Sequence, residues 1–192
     1  MDAAYDLIWE YSYGAVTIDA ICERAGVKKG SFYYFFNSKS DLAVAAIDAW
    51  WIERKAVLEN LFRTEVAPLD RLRGYFDFIA KRQNESYEAN GQVLGCPLVT
   101  LGSEICTQDE QITARLHDIL TGLTRYFEEA IAEARLTGDL EGGNPALMAR
   151  SLVAYYAGTL TLSRIENNME PILQLNANAL ALLGAKSALA LA

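Results

Sequence analysis

The chain has 192 residues, with 17 Lys and Arg against 25 Asp and Glu, one His and a formal net charge of −8. Apolar residues make up 52% and charged residues 22%, which excludes a disordered chain, and the acidic balance excludes charge-driven, non-specific attraction to nucleic acid or membrane as a property of the whole. One His excludes His-rich metal sites, and three Cys with no CxxC pair point to reduced thiols in a cytoplasmic setting, not to a disulfide framework.

The elements read as helices throughout, and period-2 alternation is scarce. Ala3, Ala4, Leu7, Ile8 and Tyr11 recur at helical spacing until Gly14. Thr17 is a good N-cap for a short second helix with Asp19 in its first turn and Ile18, Ile21, Cys22 and Ala25 on one face. Gly26 ends it. A third short helix runs from Lys29 to Phe36, and Ser38 with Asp41 forms a capping box for a long helix reaching about Thr64. Further helices are expected from Pro68 to Ala89, from Pro97 onward, from Gln108 to Leu136, from Pro145 to Asn167 and from Glu170 to Leu191. No window of 18 apolar residues suggests a membrane span, and Asp2 and Asp6 stand where a secretory leader would need a basic start and an apolar core.

The segment from Thr17 to Leu42 holds the information. Two short helices joined by Ala25-Gly26-Val27-Lys28 have helix-turn-helix spacing. Its second half is locally basic: Arg24, Lys28, Lys29 and Lys39 occur between positions 24 and 39 with no acid among them. In the third helix Lys29 and Tyr33 share one face with Ser31 and Tyr34 close by, while Phe32 and Phe36, four apart, face inward. A basic, hydroxyl-rich face on an aromatic anchor suits a recognition helix in the major groove.

These residues resemble the DNA-binding signature of TetR-family transcriptional regulators. Thr17, Ala25, Gly26, Val27, Gly30, Tyr33, Phe36, Ser38, Lys39 and Leu42 match its pattern over about 26 residues. The resemblance implies an all-α protein of about nine helices. Residues 1–46 would be a three-helix DNA-binding domain, and 47–192 a helical ligand-binding and dimerisation domain. It implies no enzyme activity and no cofactor, and the residues add no phosphate loop, metal cluster or nucleophile-base pair. It further implies a cytoplasmic homodimer on palindromic double-stranded operator DNA, released as a repressor by a small-molecule effector. Carried over residue by residue, Thr17 would bond a phosphate at the start of the second helix. Lys28, Lys29 and Ser31 would approach base edges or phosphates beside Gly30, and Tyr33, Tyr34 and Lys39 would hold the DNA backbone. Two departures stand out: Lys28 occupies a position where Ser or Thr often caps the recognition helix, and Met1 falls near the middle of the expected first helix, where members usually have a basic arm ahead of it.

In the second half, the last two helices are apolar on more than one side, with Ala149, Ala157, Gly158, Ala177, Ala181 and Gly184 among the large residues, and are expected to form the dimer interface. Tyr75, Phe78, Cys96, Thr100, Glu104, Tyr126 and Tyr155 are the candidate ligand contacts, although such aromatics at helical spacing are more often plain core. His117 reads as a surface or satisfied interior residue and not a ligand group, and Arg164 as a partner for an anionic ligand or for Glu128 or Glu166. Gly95-Cys96-Pro97-Leu98 resembles an element at the sixth helix in one branch of the family. Cys96 at a helix start would have a stabilised thiolate, so a thiol-based electrophile or redox sensor is one alternative. A helical adaptor that kept the fold without binding DNA is another.

Overall fold

A computed structural model describes residues 1–185, so the end of the expected last helix lies outside the described residues. The described residues form ten helices and no strand: α1 (Asp2–Glu10), α2 (Ile18–Arg24), α3 (Lys29–Phe35), α4 (Lys39–Leu61), α5 (Pro68–Asn90), α6 (Pro97–Ile105), α7 (Glu110–Leu136), α8 (Pro145–Glu166), α9 (Glu170–Leu173) and α10 (Leu175–Leu182). Nine were expected. The difference is the expected last helix, which breaks at Gln174, where ψ near 0° departs from the helical value and starts a new segment.

The chain divides into two compact units. Of the described residues, the first comprises 1–55 and 97–119, and the second comprises 56–96 and 120–185. The first unit therefore takes in α6 and the start of α7 beside the N-terminal helices.

Local rules explain how the first unit folds. The Thr17 hydroxyl accepts the Ala20 N–H at 3.1 Å and starts α2. At the other end, Gly26 has φ +65°, and the Val27 and Gly26 amides donate to the Cys22 and Glu23 carbonyls, the paired bonds of a Schellman motif. Glycine is required there by backbone conformation alone, because an added Cβ would touch nothing. Ser38 accepts the Asp41 N–H at 3.0 Å, while the Asp41 carboxylate reaches back to the Asn37 N–H at 3.1 Å, so α4 starts on a capping box shifted by one residue. Ala4, Leu7, Val16, Ile21, Cys22, Phe32, Leu42 and Ala46 close the core around these turns.

In the second unit, Leu72, Phe76, Phe127, Ile131, Leu152, Leu160, Ile172 and Leu175 are fully buried. Arg71 is buried among them, with its guanidinium paired to Glu133 at 2.6 Å and donating to the Thr64 and Val66 carbonyls. Each of its three guanidinium nitrogens has an acceptor and the charge has a carboxylate partner, the conditions under which a buried charge is tolerated. At the end of α8, Asn167 takes a left-handed conformation, and its side chain accepts the Val93 N–H and donates to the Gly91 carbonyl.

Candidate nucleic-acid interface

The site is built on α2, α3 and the turn between them, all in the first unit. Phe32 is buried and Phe36 packs against the core, so α3 is anchored on one side. The opposite side is left bare. Tyr33, Tyr34 and Phe35 are exposed by 55%, 83% and 73%, too much for core aromatics. Tyr33 packs edge-on against Phe32, with centroids 5.0 Å apart, and Tyr34 packs against Phe35 at 4.8 Å. Gly30 and Ser31 are exposed between them, and a Cβ at Gly30 would meet nothing within 4 Å. Lys28 begins α3 without a side-chain cap bond, and among the described residues it has no ion pair. Thr17 is exposed at the start of α2, although its hydroxyl oxygen is already the acceptor of the cap.

The basic character of this surface is lower than the local sequence suggests, because acids from outside positions 24–39 reach in. Arg24 pairs with Glu10 at 3.1 Å, and Lys29 pairs with Asp19 at 2.8 Å. The hydrogen bond that Lys29 donates to Asp19 is the main reason its ammonium is held above its ordinary pKa.

Lys39 is engaged differently. Its ammonium donates to the Tyr13 and Val16 carbonyls at 2.7 and 2.9 Å and lies 4.1 Å from the centre of the Tyr13 ring. Partial burial lowers its pKa, while the nearby Glu104 carboxylate opposes that shift. Glu104 grips the same turn from α6. Its two oxygens accept the Tyr13 and Gly14 N–H groups at 2.9 and 2.6 Å. A Cβ on Gly14 would come within 2.9 Å of that carboxylate, so any other residue there would make the Glu104 side chain shift. Both residues were expected to touch ligands, Lys39 the DNA backbone and Glu104 an effector. In the structure their charged groups are committed to the turn between α1 and α2.

The remaining effector candidates divide between the units. Thr100 lies on α6 in the first unit. Tyr75, Phe78, Cys96, Tyr126 and Tyr155 belong to the second. There Tyr75 stacks edge-on with Phe127 and Tyr156, and Phe62 links Tyr75 to Tyr126, in a packed aromatic cluster. Phe78 and Tyr155 are half-buried. Cys96 is buried, with its sulfur 3.8 Å from the Tyr156 hydroxyl. Burial pushes that phenol well above its ordinary pKa. Gln83 holds the preceding residue by a reciprocal amide pair, donating to the Gly95 carbonyl and accepting the Gly95 N–H. Arg164 donates to the Leu94 carbonyl at 2.7 Å. His117 is exposed beside Cys106.

Among the described residues no group of three or more His, Cys, Asp or Glu is placed to hold a metal ion, and no helix is long and apolar enough to cross a membrane.

Family comparisons agree with this geometry. Residues 1–46 match the model of bacterial regulatory proteins of the tetR family, and residues 68–178 match the tetracyclin repressor-like C-terminal domain. The chain belongs to the TetR family of transcriptional regulators. It is therefore a DNA-binding regulator and not an enzyme. TetR-family regulators bind operator DNA and small-molecule effectors and are typically dimers. It is similar to the transcriptional regulator AcuR of Cereibacter sphaeroides, with 27% identity covering 88% of this chain and 77% of that protein. It is also similar to the repressor NemR of Escherichia coli, with 25% identity covering 86% and 82%. The crystal structure of a regulatory protein TetR from Rhodobacter sphaeroides superposes with a TM-score of 0.80 at 26% identity, covering 93% of each chain.

Residues missed by sequence reasoning include Asp19, Glu10 and Gln83 as partners and Arg71 with Glu133 as a buried pair. Asp19 carried a usable signal, since it stands two residues after a helix N-cap and ten before Lys29. Glu104 is 90 positions from the amides it holds, and nothing local marks it.

Proposed function

We propose that this TetR-family chain is a repressor in which α3 enters the major groove of a palindromic operator and a small apolar effector releases it. The observation that carries the DNA contact is the bare outer side of α3. Gly30, Ser31 and Tyr34 lie opposite the buried Phe32 and Phe36, with Lys28 at the helix start and Lys29 and Tyr33 on one flank. Glycine inside a helix is unfavourable unless something needs the room. No neighbouring side chain or backbone in this protein needs it at Gly30, which suits close approach by a DNA backbone. In this reading Lys28 and Ser31 approach base edges, Tyr33 and Tyr34 meet the sugar-phosphate backbone, and Thr17 offers its backbone N–H and its own proton to a phosphate. Lys29 shares its charge between Asp19 and a phosphate. Lys39 acts by holding the turn before Thr17, not by contact.

A dimer places two such helices on successive major grooves, about 34 Å apart. The surface that favours pairing is the outer side of α8, where Leu147, Leu162 and Ile165 are exposed at helical spacing with Ser151, Ala154 and Gly158 between them. Large residues flanking small ones let two helices approach closely. Leu173 on α9 and Leu182 on α10 are exposed as well. The effector would meet Tyr75, Tyr126, Tyr155 and Phe78, and the packed cluster of Tyr75 and Tyr126 would have to open to admit it. Cys96 is buried against Tyr156, so a direct thiol sensor is the weaker reading.

The test is enrichment of duplexes from a random pool by the whole chain, followed by binding of the enriched DNA to Lys29→Ala and Tyr33→Ala. Each substitution is expected to weaken binding about tenfold. Unchanged binding by both would overturn the recognition-helix assignment, and failure to enrich any duplex would favour the adaptor.

A further inference from the structure

We propose that Phe35 reads the C5-methyl group of a thymine in the major groove, and so sets part of the operator sequence. This rests on the assignment of α3 as the recognition helix.

Phe35 is the last residue of α3 and is 73% exposed. The core beneath α3 is already filled by Phe32 and Phe36, so Phe35 has no packing role in the fold. Helical spacing puts it four residues after Ser31 and seven after Lys28, on the flank those two share. It is thus on the opposite flank from Lys29 and Tyr33. Among the described residues its ring contact is with Tyr34, edge-on, at 4.8 Å and an interplanar angle of 87°. That contact limits the orientations open to the ring before any partner arrives.

The chemistry then narrows the target. A phenyl ring has no donor or acceptor and cannot read N7, O6, O4 or amino groups. The one apolar group that base edges present in the major groove is the thymine methyl. A phenyl beside Ser31 and Lys28 therefore distinguishes thymine from cytosine by an apolar contact, where its neighbours work by hydrogen bonds or charge. The same ring set against deoxyribose would add affinity with no preference for a base, and the experiment separates the two.

Duplexes enriched by the whole native chain are remade with deoxyuridine replacing each thymine in turn, which deletes only the methyl. Binding is measured for the native chain, Phe35→Ala and Phe35→Leu. The native chain is expected to lose about fourfold at one thymine in each half-site, the value of one buried methyl-sized group. Phe35→Ala should bind thymine and uracil equally there, and Phe35→Leu should keep part of the preference. Because Phe35 is exposed, neither variant removes core, and circular dichroism checks the fold. Equal penalties in the native chain and Phe35→Ala, or no penalty at any thymine, would overturn the proposal while leaving DNA binding intact. Failure of the native chain to enrich any duplex would instead overturn the recognition-helix assignment, and this proposal with it.

Discussion

The Lys29 ammonium lies 2.8 Å from the Asp19 carboxylate, bridging the first turn of α2 to the first turn of α3. Both side chains are largely exposed, so the pair contributes little to stability. Its effect falls on DNA, because Asp19 brings a negative charge to a surface that must meet phosphates. Asp19→Asn is expected to raise operator affinity severalfold at low salt. It should also steepen the salt dependence by about one phosphate equivalent, a change of about 0.9 in the log–log slope. A fluorescence anisotropy titration across a salt series measures both.

Gly30 offers a substitution whose two effects have opposite signs. Gly30→Ala should stabilise the protein by up to about 1 kcal/mol, because alanine is the better helix former and no neighbour is close enough to object. Operator affinity should fall at the same time. Urea unfolding and DNA titration on one preparation test the pair. Weaker stability or unchanged affinity would count against the close DNA approach.

Glu104→Ala is expected to cost about 1–3 kcal/mol, because it leaves the Tyr13 and Gly14 amides without their charged acceptor. Chemical denaturation reads the loss. Glu104→Gln should recover part of it, since one amide oxygen replaces two carboxylate oxygens.

Tyr156 governs an alkaline limit. Burial holds its folded pKa well above the ordinary value of 10.0, whereas the unfolded phenol ionises near that value. The unfolded state therefore releases a proton that the folded state keeps. The stability from this group is fully present below the unfolded value and is lost progressively as the pH rises from about 10 toward the higher folded value. Tyr156→Phe should cost about 1 kcal/mol at pH 7 through lost hydrogen bonds and flatten the alkaline decline. Denaturant midpoints at pH 7 and pH 10.5 test the difference.

Leu162→Glu places a charge on the exposed apolar side of α8. Sedimentation should show a shift toward monomer, and operator binding should weaken in step, because each monomer keeps only one recognition helix. A dimer of unchanged strength would rule out this side of α8 as the interface.

What could be read from the sequence was set by range. The Thr17 cap, the Gly26 turn and the Ser38–Asp41 box each work within a few residues, so spacing revealed them. The outward Tyr34 and inward Phe32 followed from helical period. Charge behaved differently. The run Arg24 to Lys39 looked uniformly basic because a window counts only its own residues, and Glu10 and Asp19 enter from outside it. Lys39 read as a surface cation because the carbonyls that hold it lie more than twenty positions away. The break at Gln174 left no mark in a stretch whose apolar spacing runs on unbroken.

Tyr13 is held three ways: its N–H by Glu104 of α6, its carbonyl by Lys39 of α4 and its ring beneath the same ammonium. Four residues later comes Thr17. In a cell, a substitution that loosens this turn is expected to imitate an effector. A regulator altered at Glu104 or Gly14 is expected to release its genes with no inducer present. Selection for constitutive expression should therefore recover changes at this junction as well as on α3.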